Sequence, residues 1–112
     1  MKLPNADQSA IPPEKIHGYL LSPTHPTGQF KAAFFRSLGY RQVHWRQLEK
    51  DLRSILENDA TLGESTEYGQ KFEIKGCITG PAGKSAWLVT AWIILAGQEI
   101  PRFITAFPGD KK

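Results

Sequence analysis

The sequence predicts an α+β fold, in which about three N-terminal helices pack on one face of a small C-terminal antiparallel β-sheet. Two observations carry this prediction. Apolar residues recur at spacings of three and four through the first half of the chain, whereas apolar and polar residues alternate from about residue 70 onwards. At 112 residues, the chain fits a single domain spanning residues 1–112, with loose polar tails over residues 1–10 and 109–112.

Three helices are expected in the first half. Residues 11–14, Ile-Pro-Pro-Glu, open the first helix, because proline is tolerated in the first helical turn, and the helix ends at Ser22-Pro23. The second covers Gln29–Leu38, where aromatic residues four apart are expected to share one face. The third covers Val43–Glu57 with an apolar stripe made of Trp45, Leu48, Leu52 and Ile55. Residues 58–65 are expected to form a loop.

The most apolar part of the chain, Ser85–Pro108, is predicted to form two strands joined by a hairpin loop at Ala96–Glu99. Within it, Trp87–Leu95 is apolar on both alternating faces apart from Thr90, so a central strand covered on both sides is expected. The alternation over residues 71–78 predicts a preceding strand with one face exposed to solvent, which we call the wet face. The final strand, Arg102–Phe107, carries an arginine and a threonine in an otherwise apolar run.

Composition and charge exclude several classes of protein. Hydrophobic residues make up 40% and charged residues 22% of the chain, which is typical of a folded domain. The net charge of +3 is compatible with a polyanionic partner without requiring one. A single cysteine, Cys77, rules out an intramolecular disulfide and a cysteine metal cluster. No apolar run approaches the ~20 residues of a membrane span, and residues 1–13 lack the apolar core of a signal peptide, so a cytoplasmic protein is expected.

The segment Gly80–Ser85 resembles the end of a phosphate-binding loop. The full motif requires a glycine where Ile78 stands and a helix after the lysine. Here a strand is expected after the lysine, so the backbone amides would not form the cradle found at a helix start. The segment is therefore interpreted as a hairpin turn, and no nucleotide cofactor is expected.

His25 is the histidine most suited to catalysis, because it lies on a loop directly before a helix. An imidazole with an ordinary pKa near 6.5 is a usable acid or base at neutral pH. The alternative is that His25 caps the helix that follows. No histidine pairs with another histidine or with an acidic residue at a spacing typical of metal ligands, so no metal site is predicted.

Arg102 and Thr105 interrupt the last strand, and their odd separation places them on opposite faces of a regular strand. A bulge, or Pro101, would be needed to bring them to one face. The alternatives are that Thr105 is an ordinary strand residue and that Arg102 keeps an edge strand soluble. The alternative for Lys31 and for Lys71 is an ordinary lysine that is exposed to solvent and has no functional role.

Three stretches taken together resemble a family of small bacterial domains of unknown function. They are HPTGQFKAAFF with LGY (residues 25–40), YGQKF with ITG (residues 68–80), and AWI followed by PRFITAFP (residues 91–108). They are also similar to the C-terminal toxin domains of contact-dependent and polymorphic toxins. Those toxins belong to the barnase–EndoU–colicin–RelE group of metal-independent ribonucleases. The resemblance extends over nearly the whole chain, from about Leu3 to Gly109.

This resemblance implies helices packed on a small antiparallel sheet whose wet face holds RNA. It implies a toxin-like, metal-independent endoribonuclease that needs no cofactor. Its partners would be RNA and a cognate antitoxin or immunity protein. Carried over position by position, it implies a catalytic set of His25, Lys31, Arg102 and Thr105. A second, substrate-binding set consists of Tyr68, Lys71 and Trp92.

Two alternative functions stay open at this point. The first is a catalytically inactive module of the same fold, which binds RNA or a protein through the wet face of Lys71, Glu73 and Lys75 as a toxin–antitoxin or immunity-type component. The second is an enzyme that acts on a small molecule, for which the sequence has no cofactor motif.

Overall fold

The computed structural model describes residues 1–109, and it confirms the α+β fold with helices preceding an antiparallel sheet. Helix α1 (Pro13–Lys15) runs directly into a π-helical segment (Ile16–Leu20), and it is followed by α2 (Gly28–Ser37) and α3 (Trp45–Ile55). The strands are β1 (Ala60–Thr66), β2 (Gly69–Thr79), β3 (Ser85–Leu95) and β4 (Arg102–Pro108). They lie in the order β1-β2-β3-β4. None of the helices in the described part of the chain has the length and apolarity that a bilayer crossing requires.

The core lies between the helices and one face of the sheet. Alternate residues of the strands are buried there, and they are Phe72, Ile74, Ile78, Leu88, Thr90, Trp92, Phe103 and Ala106. The apolar stripe of α3, which includes Leu48, Leu52 and Ile55, belongs to the same buried cluster. The one hydroxyl in this layer of strands, that of Thr90, donates a hydrogen bond to the Ile74 carbonyl at 2.8 Å, so its burial is compensated.

In residues 1–109 the opposite face of the sheet carries mostly exposed and half-buried residues, and we call it the open face. On β2 and β4 this face carries exposed or half-buried residues, and on β3 it carries half-buried apolar residues and the buried Val89. Its central members are Lys71, Glu73, Lys75, Val89, Ala91, Ile93, Arg102, Thr105 and Phe107. The central strand was expected to be covered on both sides, but helices cover only one side. The apolar residues of β3 are instead shielded in part by side chains on the neighbouring strands.

Two segments differ from the sequence-based expectation. Residues 60–66 form β1 instead of a loop; most of this strand is exposed, so it lacks the alternation that marks a half-buried strand. The N-terminal residues form no loose tail, because Leu3 is buried and Ala10 pairs with β4 through backbone hydrogen bonds to Pro101 and Phe103. Of the expected C-terminal tail, Gly109 bonds to the backbone of Trp87, and residues 110–112 lie outside the described part.

Helix α2 buries a different face from the one expected. The aromatic spacing placed Phe30 on the packed face, whereas its side chain is 76% exposed. The buried positions are Gly28, Ala32 and Phe35, and the first two are small. A narrow face of this kind lets the helix backbone approach the π-helical segment closely, and this approach shapes the candidate site.

Candidate active site

Tyr19 contacts three of the four side chains that the sequence singled out as catalytic. Its hydroxyl lies 3.2 Å from Oγ1 of Thr105, within hydrogen-bond distance. Its ring packs edge-on against the His25 imidazole, with ring centroids 5.0 Å apart. The ammonium of Lys31 lies 5.6 Å from the centroid of the same ring. We call this group (Tyr19, His25, Lys31 and Thr105) the Tyr19 cluster.

The position of Tyr19 follows from two local features. The backbone N–H of Leu21 donates to the Ile16 carbonyl at 2.9 Å, five residues back, so the helix widens into a π turn. The start of α2 then packs against the backbone of Tyr19. A Cβ at Gly28 would lie only 2.1 Å from the Tyr19 carbonyl oxygen, so only glycine permits this approach. Lys31, about one turn further along α2, is thereby brought to the Tyr19 ring.

His25 caps α2, as the plainer interpretation of the sequence expected. Its Nδ1 accepts hydrogen bonds from the backbone N–H groups of Thr27 at 3.1 Å and Gly28 at 3.0 Å. A neutral imidazole that accepts at Nδ1 carries its proton on Nε2. His25 is therefore held in the tautomer that donates from Nε2, which suits a hydrogen bond to a phosphate oxygen better than removal of a proton.

The charges around Tyr19 make its hydroxyl more acidic than an ordinary tyrosine. Burial raises the pKa of Tyr19, but the hydrogen bonds with Thr105 and Lys31 and the positive charges of Lys31 and Lys15 lower it by more. The net effect is a pKa below the usual value. Its phenolate form is therefore reached at lower pH than that of an ordinary tyrosine.

A β-bulge settles how Arg102 and Thr105 are placed. Thr105 pairs with Ala91 and Arg102 pairs with Ile93, and the register shift between these pairs leaves Ile104 as an extra residue on β4. Ala91 and Ile93 are two apart, so they lie on the same side of β3. Arg102 and Thr105 thus share one side of the sheet despite their odd separation. Within residues 1–109, the exposed guanidinium of Arg102 has no hydrogen bond or ion pair and does not join the Tyr19 cluster.

The three residues of the predicted substrate-binding set, Tyr68, Lys71 and Trp92, lie in three different environments. Tyr68 is 71% exposed in the turn before β2. Lys71 lies on the open face, opposite Ile93 and so in the same row as Arg102, and its ammonium is 3.6 Å from the Glu64 carboxylate. Trp92 is fully buried, and its indole N–H donates to Thr90 at 2.8 Å. This places Trp92 in the core, with no ring face available to a substrate.

Metal-ligating residues do not gather in the described part of the chain. No group of three or more His, Cys, Asp or Glu side chains there lies close enough to hold a metal ion. His17 packs edge-on against Trp45, with ring centroids 5.4 Å apart, and His44 is exposed at the start of α3.

Comparison with known proteins places the chain in a family. Residues 2–110 match the model of DUF6883, a domain of unknown function. The chain belongs to the DUF6883 family. A solved chain of the contact-dependent growth inhibition toxin–immunity protein complex from Klebsiella pneumoniae 342 has a similar fold, with a TM-score of 0.68. The two chains are 17% identical, and the similarity covers 90% of this chain and 100% of that one. No curated protein sequence matches this chain.

The expectation of an uncharacterised domain family is confirmed by DUF6883, and the solved chain from the toxin–immunity protein complex has a similar fold. Sequence reasoning missed Tyr19, the centre of the cluster in this DUF6883 domain. In a regular helix Tyr19 shares a face with the buried Ile16 and Leu20, so spacing indicates a core residue, whereas its ring is only partly buried at the edge of the core. The usable signal was its position, just before the loop that carries His25.

Proposed function

We propose that this DUF6883 domain is a toxin-like, metal-independent endoribonuclease that cleaves RNA through its own 2′-hydroxyl. The observation that carries the proposal is the convergence of His25, Lys31 and Thr105 on the acidified hydroxyl of Tyr19. The similar fold of a chain in a growth-inhibition toxin–immunity complex supports a place in a toxin system. In such a system a cognate immunity protein or antitoxin would be the protein partner.

The proposed reaction requires a base, an acid and positive charge. The bond between O2′ and phosphorus forms while the bond between phosphorus and O5′ breaks, which leaves a 2′,3′-cyclic phosphate and a free 5′-hydroxyl. Tyr19 takes the proton of the 2′-hydroxyl, and the Lys31 ammonium returns a proton to the leaving 5′ oxygen. His25 donates from Nε2 to a phosphate oxygen as charge develops on phosphorus. Thr105 holds the Tyr19 hydroxyl and favours its ionised form.

Arg102 has a different proposed role from the Tyr19 cluster. Arg102, Ile93 and Lys71 are direct neighbours across β4, β3 and β2 on the open face. Two positive side chains therefore lie on either side of the half-buried Ile93. Cations placed beyond the reacting phosphate bind the RNA backbone and fix its register without reading its sequence. We therefore assign Arg102 to RNA positioning, with Lys71 contributing less because Glu64 partly neutralises it.

The test is cleavage of RNA by the purified chain in EDTA. We expect wild type to produce fragments that end in a cyclic phosphate and begin with a 5′-hydroxyl, and Tyr19→Phe to be slower by ~10²-fold or more. Lys84→Ala is the control, because Lys84 is exposed in the β2–β3 turn and belongs to neither candidate set. Absence of cleavage by wild type, or equal rates for wild type and Tyr19→Phe, would overturn the proposal. Tight RNA binding without cleavage would favour the inactive binding module.

A further inference from the structure

A cavity of about 370 Å³ opens beside the Tyr19 cluster. Its volume lies in the range of small-molecule sites, ~300–1,000 Å³. Its walls are formed by Pro12, Glu14, Lys15, Gly18, Tyr19 and His25. Because Tyr19 and His25 belong to both, a group bound in the cavity would lie next to the reacting phosphate of the proposed function.

The cavity combines flat apolar surface with two opposite charges. The Pro12 ring and the Tyr19 ring supply the apolar surface. The Lys15 ammonium lies 5.5 Å from the centroid of the Tyr19 ring. The Glu14 carboxylate is exposed and makes no hydrogen bond or ion pair with any residue in the part of the chain that the structure describes. A flat ligand with both donors and acceptors on its edge fits this arrangement, and nucleobases bind proteins by stacking and by such edges.

We infer that this cavity binds a base adjacent to the scissile phosphate and selects guanine; the inference rests on the proposed ribonuclease function. Guanine alone among the four bases presents two adjacent donors, N1–H and N2–H₂, which match the two oxygens of the Glu14 carboxylate. Its O6, beside N1–H, accepts from an ammonium such as that of Lys15.

The other bases present the wrong edge to a carboxylate. Adenine N1 and cytosine N3 are acceptors, so each leaves one carboxylate oxygen facing a lone pair. Uracil offers a single N–H between two carbonyl oxygens. A site built for paired donors penalises ligands that lack them, because its own acceptor is then left without a partner.

The inference is tested with RNA oligonucleotides of uniform adenine sequence that carry one central guanine, cytosine or uracil. We expect wild type to cleave next to guanine at least roughly tenfold faster than elsewhere, as a bidentate base contact predicts. Glu14→Gln replaces one acceptor oxygen by an NH₂ donor, so the ratio of guanine to adenine cleavage should fall towards one. Glu67→Gln, a carboxylate in the β1–β2 turn, is the control and should keep the wild-type ratio.

Filling the cavity gives a second, independent variant. A Cβ built at Gly18 meets only the Glu14 Cβ, at 3.8 Å, which is an ordinary contact. Gly18→Leu should therefore fold while its side chain occupies the cavity, and the guanine ratio should be lost. Gly18→Ala adds only the Cβ and should retain that ratio.

The outcomes separate this inference from the proposed function. Cleavage by wild type without guanine preference, or a preference that survives in Glu14→Gln, overturns the inference alone. If wild type cleaves no RNA, the proposed function fails, and the cavity is judged by binding of guanosine 3′-monophosphate against adenosine 3′-monophosphate. Tighter binding of the guanosine nucleotide by wild type, lost in Glu14→Gln, would uphold the inference, whereas equal binding of the two nucleotides would overturn it.

Discussion

Nδ1 of His25 accepts the backbone N–H of Gly28 at 3.0 Å, so one imidazole both caps helix α2 and borders the candidate active site. The cap uses Nδ1 alone, and the candidate chemistry uses Nε2. The structural and functional contributions of His25 should therefore be separable by substitution.

We expect His25→Ala to lower the free energy of unfolding by about 1 kcal/mol, the usual cost of losing an N-terminal cap. His25→Asn should retain most of that stability, because an amide oxygen accepts the same backbone N–H groups. Both variants should cleave RNA ~10²-fold more slowly. Urea unfolding and RNA cleavage measure the two effects. Equal destabilisation by both substitutions would show that the cap contributes little.

Thr105→Val should raise the pKa of Tyr19, because it removes the hydrogen bond that stabilises the phenolate. Titration of the tyrosinate ultraviolet absorbance, with the Tyr19→Phe curve subtracted, isolates this group. The first tyrosinate signal should move to higher pH in Thr105→Val, and the pH at which cleavage reaches its plateau should move with it. Thr79→Val, at the far end of β2, should leave both curves in place. An unchanged curve in Thr105→Val would contradict the role given to this hydrogen bond.

Gly28→Ala should push α2 away from the π turn, since its Cβ would lie 2.1 Å from the Tyr19 carbonyl oxygen. Overpacking of this kind typically costs about 1–3 kcal/mol, and displacement of Lys31 and His25 should also reduce cleavage. Gly18→Ala is the matched control, because its Cβ meets only an ordinary contact. Thermal or urea unfolding of both variants makes the comparison. Similar stability of the two variants would argue against the close approach.

Because of Tyr40, the free energy of unfolding should depend on pH in the alkaline range. Burial, followed by the hydrogen bond to Asp51 and the negative charge of that residue, raises the pKa of Tyr40. The folded state therefore holds this proton more tightly than the unfolded state, and the stabilisation is complete below the ordinary pKa of about 10. It is lost as the pH rises beyond that value.

The corresponding measurement is urea unfolding of wild type and Tyr40→Phe from pH 7 to pH 11. At pH 7 the variant should be less stable by about 1–2 kcal/mol, because Asp51 loses the Tyr40 donor and keeps only that of Gln47 among the described residues. The difference should shrink above pH 10. A constant difference across this range would rule out the linkage.

Arg102→Ala should weaken RNA binding without destabilising the domain. The contacts that hold this part of β4 to Ala10 are backbone hydrogen bonds of Pro101 and Phe103, which do not involve the arginine side chain. Loss of one phosphate contact should reduce the slope of log affinity against log salt concentration by about one. Lys84→Ala, in the β2–β3 turn, should keep the wild-type slope. A slope unchanged in Arg102→Ala would remove this residue from the RNA surface.

The sequence predicted the parts of the fold that follow a regular period. Alternation identified β2 because Phe72 and Ile74 face the core while Lys71 and Glu73 do not, and the stripe of α3 was clear for the same reason. Strand β1 was missed because backbone pairing with β2 holds it in place, while most of its side chains are exposed and show no alternation of apolar and polar residues. Trp92 was misplaced because the face that a strand residue occupies depends on the register of its neighbours, which composition does not reveal.

The candidate site was less accessible to sequence reasoning than the fold. His25, Lys31 and Thr105 were chosen by residue type and by resemblance, and the structure brings these three together. Tyr19 depends on a π turn and Arg102 on a bulge, and each is a one-residue departure from a regular period. A periodicity argument averages over such departures, so it cannot locate them.

The bulge at Ile104 shifts the alternation of inward and outward side chains along β4 by one residue. Phe103 and Ala106 both face the core although three positions separate them, which only a surplus residue allows. Deleting Ile104 would restore a regular alternation in which Phe103 and Ala106 still face the core and Thr105 still faces the other side. Strand β4 is therefore one residue longer than its pairing with β3 requires, and the bulge takes up that residue. Insertions and deletions would be tolerated in the hairpin loop that precedes it, whose residues are exposed.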